Sequence, residues 1–75
     1  MWEKYKGKYA GVHSFELSEH SIRIRFNPDI KEVYTYNYKE PGMMEVEKMK
    51  ELAVKHEGLS SYISQAIRDR YYSKD

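Results

Sequence analysis

Residues 21–26, Ser-Ile-Arg-Ile-Arg-Phe, alternate polar and apolar side chains without a break. A period of two marks a strand with one covered face. Ile22, Ile24 and Phe26 fall on one face; Ser21, Arg23 and Arg25 fall on the other. The same period returns at residues 32–38, where Tyr34, Tyr36 and Tyr38 occupy every second position. Tyr and Val suit a pleated, half-buried surface. Residues 12–17 form a third, shorter candidate, with Phe15 and Leu17 opposite Ser14 and Glu16.

Between the two clear strands lies Asn27-Pro28-Asp29-Ile30-Lys31. Pro fixes φ there, and Asn and Asp can bond nearby backbone groups, so the stretch predicts a turn. A connection this short predicts an antiparallel hairpin. Burial selects its register: Tyr34 and Tyr36 join Ile22, Ile24 and Phe26, and Thr35 and Val33 lie beside the arginines. A slip of one residue would expose the whole apolar set.

After Glu40-Pro41-Gly42 the period changes to that of a helix. Val46, Met49, Leu52 and Ala53 form one stripe on a helix predicted over 43–57. Glu51 and Lys55 form an i,i+4 pair on it. Gly58 reads as its left-handed C-cap. Ser60 or Ser61 then caps a second helix carrying Leu59, Tyr62, Ile63, Ala66, Ile67 and Tyr71, with Arg68, Arg70 and Lys74 near its end. The predicted fold is α+β: a three-stranded antiparallel meander followed by two helices packed on one face, β-β-β-α-α.

Composition narrows the function classes. The chain has 75 residues, room for one domain and no deep enclosed active site. Thirteen basic and 12 acidic residues give a net charge of +1, which argues against a general polyanion binder. The absence of cysteine excludes disulfides and thiolate metal sites. No apolar run approaches the ~20 residues of a membrane span. The expectation is a soluble cytoplasmic protein with no cofactor. Residues 1–10 mix Lys with Trp and Tyr and lack a period, so they read as a basic-aromatic arm outside a domain spanning 11–75. Trp2 or Tyr5 could pack on the domain edge.

The pattern of Tyr34-Thr35-Tyr36 after the alternating strand, then Pro41, Gly58, Ile67 and Tyr71, resembles the KTSC domain. That family is named for the C-terminal domain of some lysyl-tRNA synthetases and also occurs as small bacterial and phage proteins. The resemblance covers residues 12–72. The turn at Asp29 to Glu32 departs from it, standing where a glycine-containing hairpin is expected. The family has no established activity, and its association with the synthetases implies RNA.

Two readings follow. In the first the protein is a small non-catalytic RNA-binding module. Arg23, Arg25, Lys39, Arg68 and Arg70 contact phosphates, and Tyr38 stacks on a base, joined by Tyr5 or Tyr9. Tyr34 and Tyr36 are core in this reading. In the second it is a protein-interaction module or host-directed factor whose partner is a protein or a second copy. Widely spaced His13, His20 and His56 do not suit zinc. Ser60 and Ser61 near His56 lack an orienting acid, a nucleophile elbow and an oxyanion loop, so no enzyme is expected.

Overall fold

A computed structural model describes residues 2–7, 11–29 and 31–75. Its centre is the predicted hairpin. Strand β3 (Ser21–Arg25) pairs antiparallel with β4 (Tyr34–Asn37), with Ile22 opposite Tyr36 and Ile24 opposite Tyr34. Arg23 lies opposite Thr35 on the other face, so the register is the one that burial demands. The turn between them is held by Asn27, whose Oδ1 accepts the Asp29 N–H at 2.8 Å. Strand β2 (Ser14–Leu17) flanks β3 antiparallel, with Phe15 against Ile24.

Among the described residues the sheet has five strands rather than three. Glu3–Lys4 form β1 and pair with β2 at one edge; Ser73–Lys74 form β5 and pair with β4 at the other. All four pairings are antiparallel, in the order β1-β2-β3-β4-β5. Part of the stretch read as an arm therefore belongs to the sheet. Tyr5 follows β1 into the core at 4% exposure. Residues 8–10, and with them Tyr9, lie outside the described residues, as does Ile30 of the turn.

The loop after β4 is built around Asn37. Its side-chain oxygen accepts the N–H groups of Lys39 and Glu40 at 3.0 and 3.1 Å. Its backbone exchanges bonds with Glu40 and Gly42, and the Glu40–Pro41 peptide is cis. Gly42 then caps α1 (Met43–Lys55). Val46, Met49 and Ala53 bury their side chains against the sheet, and Leu52 packs at the edge of that contact. With Val12, Phe15, Ile22, Ile24 and Tyr36 from the sheet side they form one core. No helix among the described residues is long and apolar enough to cross a membrane.

Two caps differ from expectation. His56, not Gly58, ends α1 in the left-handed conformation, at φ 55° and ψ 40°. Gly58, at φ 80°, instead opens α2 (Leu59–Tyr62), so neither Ser60 nor Ser61 is its cap. Ser60 Oγ accepts the Gly11 N–H at 3.1 Å and ties the N-terminal segment to α2. A Cβ on Gly58 would sit 3.8 Å from Leu52 Cδ2, so space is not what requires glycine; the backbone is. Left-handed geometry costs an L-residue ~1–2 kcal/mol. Lower unfolded-chain entropy returns ~0.4–1 kcal/mol. Gly58→Ala is therefore expected to lose about 1 kcal/mol in a urea unfolding curve. An unchanged or raised midpoint would contradict the cap assignment.

Beyond Tyr62 the helix widens into a π-helical stretch, Ile63–Ile67, closed by the Arg68 N–H donating to the Ile63 carbonyl. Leu59, Ile63 and Ile67 are buried on its inner side; Ala66, placed in the stripe from sequence, is exposed. Arg68 ends it at φ 55° and ψ −121°. The chain then turns back, and the Tyr72 N–H donates to the Thr35 carbonyl at 2.7 Å before β5 forms. Arg68, Arg70, Tyr71 and Lys74 thus lie past the helix, not on it.

Candidate functional site

The reversal at Arg68 makes a cleft beside β4. Phe26 at the end of β3 and Tyr34 meet edge to face, with ring centres 5.0 Å apart and planes at 79°. Tyr71, brought back by the turn, meets Tyr34 at 5.0 Å and 85°, and Tyr36 at 6.5 Å and 89°. These edge-to-face contacts are favourable in themselves. The same four residues line a cavity of about 480 Å³. Asn27, Glu32, Arg68 and Asp69 complete its wall. Glu32 lies 3.6 Å from the Lys74 ammonium, which stands 5.7 Å from the centre of the Tyr34 ring.

Tyr36 forms the floor, 1% exposed. Burial pushes its hydroxyl pKa well above the ordinary tyrosine value, with Tyr34 and Tyr71 adding to the shift. The folded state thus favours the neutral ring. Stability from this group is complete below about pH 10, where unfolded tyrosine titrates, and is lost as pH rises toward the folded value. Each such group steepens the alkaline loss by up to about 1.4 kcal/mol per pH unit. Tyr36→Phe is expected to change neutral stability by less than about 1 kcal/mol and to flatten the fall between about pH 10 and 11. Lys74, held up by the Glu32 carboxylate, and Tyr62, raised by burial, leave part of that fall in place. An identical alkaline slope in urea titrations of both proteins would count against the buried-ring account.

The six residues expected to meet RNA do not share one surface. Arg23 and Arg25 project from the face of the sheet opposite the helices. Arg23 is paired across the strands with Glu16 and sits 5.6 Å from the centre of the Trp2 ring. An Arg25 Nη reaches the Pro28 carbonyl at 3.4 Å, and its Nε is buried without a partner among the described residues. Tyr38 and Lys39 line a shallow depression with His20, Asn37 and Tyr72. Arg70 bonds the Ala66 carbonyl at 2.9 Å and lies 3.9 Å from Glu45. Arg68 alone reaches the aromatic cleft.

Two expected stacking rings have structural partners. The Tyr38 hydroxyl donates to Glu47 at 2.6 Å, which raises the Tyr38 pKa and lowers that of Glu47; Lys50 supports the same carboxylate at 3.1 Å. Tyr5 is in the core, so it is not available as a stack: its hydroxyl accepts the Leu59 N–H at 3.0 Å.

A second, more polar hollow of about 620 Å³ is lined by Tyr5, Lys6, His56, Glu57, Gly58, Ser60 and Ser61. His56 Nδ1 accepts the Lys6 N–H at 3.0 Å, which places its ring proton on Nε2, 2.9 Å from Glu3. Both ring nitrogens are thereby engaged in holding the N-terminal strand. Ser60 is likewise bound to Gly11. Among the described residues no group of three acidic, His or Cys side chains is placed to hold a metal ion.

Tyr36 is buried in the core and Tyr34, expected there with it, is half-buried against it; the sequence pattern does not assemble the cleft around them. Phe26 and Tyr71 each carried an apolar signal, yet Tyr71 was placed on a continuing helix. Comparisons of the chain with protein-family models, curated proteins and solved structures find no match.

Proposed function

We propose that the protein is a small non-catalytic binding module that takes one group of its ligand into the aromatic cleft. The observation that carries this reading is the convergence of Phe26, Tyr34, Tyr36 and Tyr71 on one cavity. A largely apolar cavity with a few convergent polar groups is the usual form of a ligand seat. The resolved pKa shift on its wall is the upward one of Tyr36, which leaves that hydroxyl protonated and unsuited to act as a base near neutrality. The KTSC-like pattern agrees with a small stand-alone module. Titration of a fragment set, followed by NMR, tests the reading. Shifts gathered at the ring protons of Tyr34, Tyr36 and Tyr71 support it; shifts confined to other surfaces, or none, overturn it.

A second reading, single-stranded RNA on the open face of the sheet, is favoured by Trp2. That ring is 37% exposed beside Arg23, in the strand pair next to Arg25, an aromatic-cationic combination that suits stacked bases and phosphates. The ion pair of Arg23 with Glu16 weighs against it, because RNA would have to displace a bound carboxylate. RNA titrations at low and moderate salt decide. Binding that weakens with salt and is lost in the Arg23→Ala, Arg25→Ala double variant sustains this reading, and no binding at low salt ends it.

A further inference from the structure

We propose that the aromatic cleft binds a small zwitterion: a quaternary methylammonium joined by a short linker to a phosphate or carboxylate. The proposal rests on the cleft being the ligand seat and adds the chemistry of the occupant.

The first argument is the shape of the aromatic wall. Tyr34 meets Phe26 and Tyr71 at 79° and 85°, and Tyr71 meets Tyr36 at 89°. Four aromatic residues whose rings meet nearly at right angles line one cavity, whereas a stacked set would make a slot for a flat ligand. Ring faces carry the negative end of the aromatic quadrupole, and a methylated ammonium is the cation that loses least on leaving water for them.

The second argument is a cation already drawn to the same rings. Lys74 holds its ammonium 5.7 Å from the centre of Tyr34 while pairing with Glu32 at 3.6 Å. The chain thus shows that Tyr34 and Glu32 together accept positive charge. Lys74 stands over the ring from the adjacent strand β5, opposite Tyr34 in register, so an incoming ammonium competes with it.

The third argument is charge balance. Glu32 and Asp69 supply two carboxylates to the wall and Arg68 one guanidinium, so both signs of charge line the cavity. A simple cation would leave Arg68 unanswered, and a simple anion would leave the carboxylates and rings unanswered. A zwitterion satisfies both ends. Arg68 makes no ion pair with the described residues. It also adopts φ 55° and ψ −121°, a conformation that glycine would hold without strain.

The test uses phosphocholine, choline and 3,3-dimethylbutanol, the uncharged isostere of choline, in calorimetric and NMR titrations of the whole chain. Phosphocholine is expected to bind most tightly, choline about fivefold more weakly, and the isostere about tenfold more weakly than choline. Arg68→Gly is expected to keep the fold and bring phosphocholine down to the level of choline, with choline bound no more weakly than by the parent. Tyr34→Leu, which keeps apolar volume but removes the ring face, is expected to weaken choline about fivefold and leave the isostere unmoved. Lys74→Met is expected to tighten choline by removing its competitor. Phosphatidylcholine vesicles separate the two sources of this chemistry: binding to the free zwitterion alone identifies a solute, and binding to both identifies a lipid headgroup, each in support. Equal affinity for choline and its isostere at the cleft overturns the proposal while leaving the cleft as a ligand seat. No cleft shift with any of the three, alongside cleft shifts from other fragments, overturns it in the same way. Only the absence of cleft shifts from the whole fragment set removes both.

Discussion

Tyr5→Ala is expected to lower the unfolding free energy by roughly 3–5 kcal/mol, the range for truncating a buried aromatic ring. The Tyr5 ring sits edge-on to Phe15 at 6.4 Å and stacks on His56 at 5.8 Å. Its hydroxyl accepts the N–H of Leu59, the first residue of α2, and that donor is buried. Leaving it without an acceptor accounts for about 1–3 kcal/mol of that loss, a contribution that Tyr5→Phe isolates. A domain of this length holds roughly 4–11 kcal/mol in total, so the alanine variant is expected to lose a large share of its stability. Gly7→Ala offers a second route to the same contact, because a Cβ on Gly7 would overlap the Tyr5 ring. Either the ring or the chain must then move, at a cost typical of overpacking, about 1–3 kcal/mol. Circular dichroism melts and urea curves of the three variants read the effect. A Tyr5→Ala protein as stable as the parent would mean that the N-terminal segment is an appendage after all.

That result bears on what the sequence could reveal. Side-chain periodicity identified β3, β4 and the buried stripe of α1, because each of those elements repeats often enough to show its period. Glu3–Lys4 and Ser73–Lys74 cannot show one. Two residues have no period, and both strands exist because the edges of β2 and β4 offer unpaired backbone groups. The caps were misassigned for a related reason. His56 and Gly58, two residues apart, both adopt left-handed φ, and glycine was the natural choice for the helix end. The cleft was the least visible feature. Tyr71 reaches Tyr34 only because the helix widens at Ile63–Ile67 and the chain reverses at Arg68, a residue type that gives no sign of positive φ. Basic residues grouped by sequence were likewise dispersed: Arg68 and Arg70 are two positions apart, yet one lines the cleft and the other meets Glu45.

Ile24→Ala and Arg23→Ala, neighbours on one strand, are expected to differ by several kcal/mol. Ile24 is fully buried, with Phe15 on one side and Tyr34 on the other, in the middle strand of five. Removing its branched side chain costs about 2–5 kcal/mol, made up of lost transfer energy and the cavity left beneath α1. Arg23 stands on the opposite face. Its pair with Glu16 is open to screening and contributes little. Its contact with the Trp2 ring adds about 0.5–1 kcal/mol at such a site. A sheet slipped by one residue would reverse the two effects, since every side chain would change faces. Urea unfolding of the two variants therefore reads the register directly. It also reads the site, because the tyrosines that floor and wall the cleft lie across from Ile22 and Ile24. A small loss at Ile24 with a large one at Arg23 would turn Tyr34 and Tyr36 toward solvent on the far side of the sheet and dissolve the cleft; the expected order leaves them where Tyr71 can close over them.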